Sequence, residues 1–221
     1  MTELSALVFD FDGLILDTET PEFTAWQEVF ARHGAALVAA DWAHVIGSVD
    51  HGWDPAVEIE RATGVVVDDE EMRARWRARH VELLAKESVR PGVVGLIEAA
   101  KARGLGLAIA SSSKRAWVQG HLERLGIFDS FDAVATGDEV ERTKPDPALY
   151  TLAVTRLGVP AASALALEDS PNGIRAAQAA GLRCVAVPNN VSRHLDVSAA
   201  DLVLDSLAEL DLDALPARTG G

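Results

Sequence analysis

The sequence predicts an α/β protein: a mostly parallel sheet flanked by helices, with an all-helical segment inserted after the first strand. Three observations carry this. A short apolar run, residues 4–10 (LSALVFD), opens the chain and ends in an acid. The second half alternates helical stretches with apolar runs, and Gly104, Gly126, Gly158 and Gly181 stand where helices should close. Between these two regions, residues 21–87 show helical spacing and no convincing strand. A length of 221 residues suits one α/β core plus an insert and is short for two independent domains.

The elements follow in order. Residues 4–10 read as a buried strand, being apolar and strand-compatible. Pro21 falls near the first turn of a helix, and Phe23, Trp26 and Phe30 recur at helical spacing behind it. Residues 41–46, 55–63 and 68–85 also read as helices. Asp68, Asp69, Glu70 and Glu71 gather at the start of the last one, where negative charge suits the helix dipole. Residues 65–67 are ambiguous. After Arg90-Pro91-Gly92 come a helix at 93–103, a strand at 105–110 and a helix at 114–125. A strand at 133–136, a helix at 147–157, a strand at 164–167 and a helix at 172–180 follow. Strands at 182–187 and 202–204 finish the sheet, and Thr219-Gly220-Gly221 should fray. The expected division is a core of residues 1–17 and 89–221 and a helical insertion of 18–88. Two junctions side by side, near 13–19 and 88–92, predict a hinge.

Composition narrows the function. Hydrophobic residues at 48% and charged residues at 24% are ordinary for a globular chain. A net charge of −14 repels nucleic acid and anionic membrane alike. No apolar run approaches the ~20 residues that span a bilayer, and no secretory signal opens the chain. The single cysteine, Cys184, excludes a disulfide framework and a cysteine-only zinc site. The expectation is a cytoplasmic protein, monomeric or weakly dimeric, with no nucleic-acid or membrane partner.

Four polar clusters fall at or just beyond the carboxyl ends of four predicted strands, where ligands of such sheets bind. They are Asp10-Phe11-Asp12-Gly13, Ser111-Ser112-Ser113, Lys144-Pro145-Asp146-Pro147 and Glu168-Asp169-Ser170. Singly, each has a local explanation as turn former, helix cap or solvated side chain. Together on one rim they describe phosphoryl transfer. Asp10 and Asp169 offer hard oxygens suited to Mg²⁺. A carboxylate approaching a phosphate dianion meets repulsion, which Mg²⁺ and Lys144 would offset. Ser111 and the N–H groups after it, at a helix start, suit a phosphate. Asp12, two residues beyond Asp10, would protonate the leaving oxygen and then activate water.

The motifs VFDFDGLILDTE (8–19), AIASSSK (108–114), TKPDP (143–147) and LEDSPNGIRAAQAAG (167–181) resemble the haloacid dehalogenase-like superfamily. Within it, they resemble the β-phosphoglucomutase-like phosphatase branch with a helical cap. The resemblance covers nearly the whole chain, with its motifs in family order. It implies a Rossmann-like core with a cap opening over the site. It also implies Asp10 as nucleophile and Asp12 as general acid/base, with the Asp12 backbone carbonyl on Mg²⁺. Ser111, with Ser112 beside it, would bind phosphate, and Lys144 would steady nucleophile and phosphate. Asp169 would ligate Mg²⁺, with Glu168 as an acidic neighbour behind it. The implied activity is Mg²⁺-dependent hydrolysis of a small phosphorylated metabolite, a sugar or polyol phosphate, through an aspartyl-phosphate.

Departures from the family's other branches sharpen this. The dehalogenases lack an acid at the place of Asp12. The phosphonate hydrolases use a cap lysine, whereas none lies between Thr18 and Ala85 and Lys86 sits at the returning junction. The sugar-phosphate mutases carry a cap histidine and arginine where this chain has Glu22 and Asp50. An aspartate would repel the far phosphate of a bisphosphate, which favours hydrolysis, with a phosphomutase as the alternative. A phospho-acceptor signalling module is a remote alternative, because receivers need neither the insertion nor the second acid. Specificity should reside in the insertion, where Glu22, Asp50, His51 and Arg75 are the substrate-contact candidates, alongside Trp53 and Arg79. Trp26 fits core packing better than a sugar platform. Arg73, Arg75, Arg77 and Arg79 span more than one helix face, so most should be solvated.

Overall fold

The computed structural model describes residues 3–42, 45 and 52–214. The strands are β1 (Ala6–Phe9), β2 (Gly106–Ser111), β3 (Ala133–Thr136), β4 (Ala164–Glu168), β5 (Arg183–Ala186) and β6 (Leu202–Val203). They form one six-stranded sheet in the order β3-β2-β1-β4-β5-β6, with every pairing parallel. β1 therefore lies at the centre, and the strand order turns back beside it, between β1 and β4. That is where an α/β sheet opens its ligand crevice.

Side-chain alternation along the strands sorts the core into two unlike faces. Leu7, Phe9, Leu107, Ile109, Leu165 and Leu167 point to one side. There they meet α5 (Val93–Ala102) and α6 (Arg115–Arg124) through Val93, Leu96, Ile97, Val118 and Leu122. Ala6, Val8, Ala108, Ala110, Ala164 and Ala166 point to the other. These small side chains let α7 (Ala148–Leu157) and α8 (Pro171–Ala179) sit close on the sheet. Ser170 caps α8 by accepting from the Gly173 N–H at 3.2 Å, with Pro171 at its first position, where no N–H partner is needed.

Among the described residues, four α-helices lie between β1 and α5 in the chain: α1 (Glu19–Arg32), α2 (Ala39–Trp42), α3 (Pro55–Thr63) and α4 (Asp69–Leu84). They share an apolar cluster of Phe23, Trp26, Val29, Phe30, Trp42, Ile59 and Met72, which Val191 joins from the segment after β5. Trp26 stacks on Trp76 at 4.9 Å, and Arg79 reaches from α4 to Glu28 of α1 at 2.9 Å. Trp26 is thus core, as its spacing suggests. Asp54 and Asp68 cap α3 and α4 through the Ala56 and Glu71 N–H groups at 2.9 and 3.0 Å.

Most differences from the sequence expectations fall at element ends. α1 starts at Glu19, because Pro21 is tolerated anywhere in a first turn whose N–H groups have no helical partner. β4 runs through Glu168 and not only to Leu167, since Val187 donates to the Glu168 carbonyl at 2.7 Å. Residues 65–67 form no regular element. The helix expected at 41–46 is seen as α2; residues 43, 44 and 46, like Asp50 and His51, lie outside the described residues. The two crossings between sheet and helices run side by side. Leu16 bridges Val89 in antiparallel sense, and the Arg90 N–H donates to the Ile15 carbonyl at 2.9 Å.

Candidate active site

Asp10 follows β1 directly, and its N–H extends the ladder to the Leu167 carbonyl at 2.9 Å. That fixes its side chain at the rim, beside Asp169 at the end of β4. Lys144 reaches the same point from the loop before α7, donating to Asp10 Oδ1 and to Glu168 Oε1 at 2.7 Å. Glu168 is completely buried and fully engaged. Its Oε1 also accepts from the Tyr150 hydroxyl at 2.7 Å. Its Oε2 takes the Asp169 N–H, the Ser170 N–H and the Ser170 hydroxyl at 3.1, 3.3 and 3.2 Å. Gly173 makes room for this carboxylate: a Cβ there would lie 1.8 Å from Glu168 Oε1. Asp169 is held from the other side by the Asn189 amide at 2.8 Å. Glu168 therefore positions Lys144 and the start of α8, while Asp10 and Asp169 face a cavity of about 350 Å³.

The electrostatics of this corner suit a divalent cation. Asp10, Glu168 and Asp169 bring carboxylate oxygens within 4.8 Å of one another, against the single ammonium of Lys144. Burial, reinforced by Glu168, pushes Asp10 well above the usual carboxylate range. The same two causes push Asp169 up to about 7. Burial alone would depress Lys144, but Asp10 and Glu168 outweigh it and hold its ammonium above the ordinary value. Buried hard oxygens that ionise reluctantly without a further cation are a donor set that Mg²⁺ fits.

Asp12 stands across the cavity, gripped by three donors. Its Oδ2 accepts from the Ser113 hydroxyl at 2.7 Å and the Ser111 hydroxyl at 3.2 Å, and its Oδ1 from the Trp117 indole at 2.8 Å. Of the expected phosphate ligands, Ser111 is wholly buried beneath Asp12, while Ser112 lies on the cavity wall with Ser113. Glu22 is on the wall, as is Glu19 one helical turn before it. Burial and Asp12 raise Glu22 to about 7; burial and Glu22 raise Glu19 well above its ordinary value. Arg75 is not on this wall. It pairs with Glu71 at 2.7 Å on an exposed face of α4, because at roughly 100° per residue it lies roughly 140° around the helix from His80, which is on the wall. Sequence reasoning missed Glu19, Trp42, His80 and Trp117, all on the wall. Glu19 alone had a signal, lying inside the first motif.

The parallel sheet, its central acid and the four rim clusters define a hydrolase fold with an inserted helical segment. Residues 4–181 match the family described as haloacid dehalogenase-like hydrolase. The chain belongs to this family, and it is an enzyme of the phosphatase kind. Among its relatives is the phosphatase-named YhcW of Bacillus subtilis, 45% identical, with 96% of each chain covered. The fructose-1-phosphate phosphatase YqaB of Escherichia coli is 32% identical over 83% of this chain and 96% of its own. Among solved structures, CbbY from Rhodobacter sphaeroides with xylulose-(1,5)bisphosphate superposes with a TM-score of 0.73 at 33% identity, covering 97% of this chain and all of the other. No helix among the described residues is long and apolar enough to cross a membrane.

Proposed function

We propose that this enzyme hydrolyses the phosphate monoester of a small sugar or polyol through a phosphorylated Asp10. The reading rests above all on one arrangement: Asp10, Asp12, Lys144 and Asp169 converge on one cavity. Asp10 attacks phosphorus, the bond to the leaving oxygen breaks, and Asp12 gives that oxygen its proton. Asp12, now a carboxylate, takes a proton from water whose oxygen attacks the phosphorus, releasing inorganic phosphate and Asp10. Lys144 holds Asp10 in place and offsets charge on the phosphoryl group, while Ser111 and Ser112 receive its oxygens. The Asp10 and Asp169 carboxylates and the Asp12 backbone carbonyl would hold Mg²⁺, whose charge lowers the repulsion between carboxylate and phosphate. Residues 18–88 act as a cap that walls the reacting group from bulk water, over a core of 1–17 and 89–221.

The wall favours a single phosphate and a hydroxyl-rich remainder. Lys144 is the only lysine or arginine on it among the described residues. Glu19 and Glu22 there can accept from or donate to hydroxyls, and neither supplies the cation that a second phosphate would need. This supports hydrolysis over a mutase, which must hold a bisphosphate. A volume near 350 Å³ suits a small metabolite. The test is a panel of phosphorylated metabolites, with inorganic phosphate release and kcat/KM measured for each in Mg²⁺. Sugar or polyol monophosphates should lead. Isomer formation that depends on a bisphosphate activator, without phosphate release, would overturn the reading.

A further inference from the structure

The three donors on Asp12 cannot all remain once a phosphoryl group is bound. A serine hydroxyl carries one proton. Ser111 spends it on Asp12 Oδ2 at 3.2 Å while accepting from the Ser113 N–H at 3.0 Å. Asp12 thus occupies the hydroxyl that a phosphate oxygen would need, one acceptor seated where another must go. The third donor, Trp117, is a half-buried side chain in the first turn of α6. An indole N–H donates and never accepts, so it holds a carboxylate oxygen in one sense only. His121 packs edge-on against that indole at 4.4 Å, which restricts its rotation.

We infer that Trp117 is a positioning residue which, with Ser111 and Ser113, parks the Asp12 carboxylate in the phosphate cradle, so that an arriving phosphoryl group must displace Asp12 from its donors. The inference rests on the phosphatase reading above for the identity of the anion. Nothing in it requires a new contact between Trp117 and substrate. It ties the release of the Asp12 side chain to the filling of the cradle. A parked carboxylate and a bound phosphate compete for the same donors, so loosening the parked state must tighten phosphate binding.

The test uses the Mg²⁺-loaded full chain and inorganic phosphate, with binding measured by titration calorimetry. Four proteins are compared: unmutated, Trp117→Phe, Asp12→Ala and the double variant. Trp117→Phe keeps a ring against His121 and loses the N–H. It should tighten the phosphate Kd by about 3–10-fold, the range for losing one competing hydrogen bond at a partly exposed site. In the Asp12→Ala background the same change should do nothing, because the parked group is gone. A merely structural role would weaken binding or lower it equally in both backgrounds. Unchanged or weaker binding in Trp117→Phe, or equal tightening in both backgrounds, would overturn the inference. So would the absence of phosphate binding to all four proteins. If Trp117→Phe does not fold, Trp117→Tyr, which displaces the donor, carries the same expectation. Phosphate release by the unmutated enzyme tests the phosphatase reading separately, and its failure would leave the binding comparison intact.

Discussion

Replacing Lys144 by methionine isolates the charge balance on which the site depends. Lys144 is 8% exposed, and its ammonium joins Asp10 to Glu168. Methionine keeps most of the stem and removes the cation that contacts both carboxylates. Breaking a buried ion pair by deleting one partner costs about 3–5 kcal/mol, because a charge stays behind without compensation. A chain of this size changes its melting temperature by roughly 2–4 °C per kcal/mol, so the loss should be roughly 6–20 °C in EDTA at pH 8. Adding Mg²⁺ should recover part of it, since a cation beside Asp10 and Asp169 replaces some of the missing positive charge. Turnover should fall by about 10²–10³ even with Mg²⁺, the usual effect of removing one group that stabilises developing charge. The assays are a thermal melt with and without metal, and p-nitrophenyl phosphate hydrolysis. A variant melting within about 2 °C of the parent in EDTA at pH 8 would refute the reasoning. The carboxylates would then be neutral or hydrated, and Lys144 would not be balancing them.

Three further outcomes follow. Asp10→Asn should abolish phosphate release and leave the melting temperature within a few degrees of the parent; retention of most activity would remove Asp10 as nucleophile. Asp169, at about 7 against an ordinary 3.8, keeps in the folded state a proton that the unfolded chain releases. Its contribution to stability is therefore full below about pH 4 and lost as pH rises through about 7. Melting in EDTA should be higher at pH 5 than at pH 8, with Mg²⁺ raising the pH 8 value, and the opposite order would contradict the assignment. Gly173→Ala should destabilise by about 1–3 kcal/mol through overpacking on Glu168, although an unhindered helical glycine would gain from the same change; a higher melting temperature would show that the carboxylate moves aside freely.

The sheet was legible because β1 to β4 are short apolar runs that end in or lead into an acid or hydroxyl, and because glycines such as Gly158, at φ 68°, end helices where a side chain would be strained. The rim was legible for the same reason: Asp10 and Glu168-Asp169 sit in sequence next to the strands that carry them. The wall contributed by the helices was not. His80 and Trp117 each lie on a helix whose local pattern gives packing and solvation alone, and whether such a residue meets the cavity depends on how that helix is packed; Glu22 was named only by comparison with the family's mutases. Arg75 shows the opposite error, a cation chosen for its chemistry whose helical phase turns it to Glu71 and solvent. Asn189 was unread because nothing near it in the chain betrays its bond to Asp169, twenty residues away.

The paired crossings at Leu16 and Val89 have a consequence for how such enzymes diversify. A segment that leaves and rejoins the sheet through one narrow seam can be exchanged as a cassette, since few strand or rim contacts would be cut. Arg90 reinforces the seam by donating to the carbonyls of Gly13, Val187 and Pro188, so the graft point is braced by the sheet and not by the cargo. Chimeras joined there should inherit their substrate preference from one parent and their bond-breaking apparatus from the other.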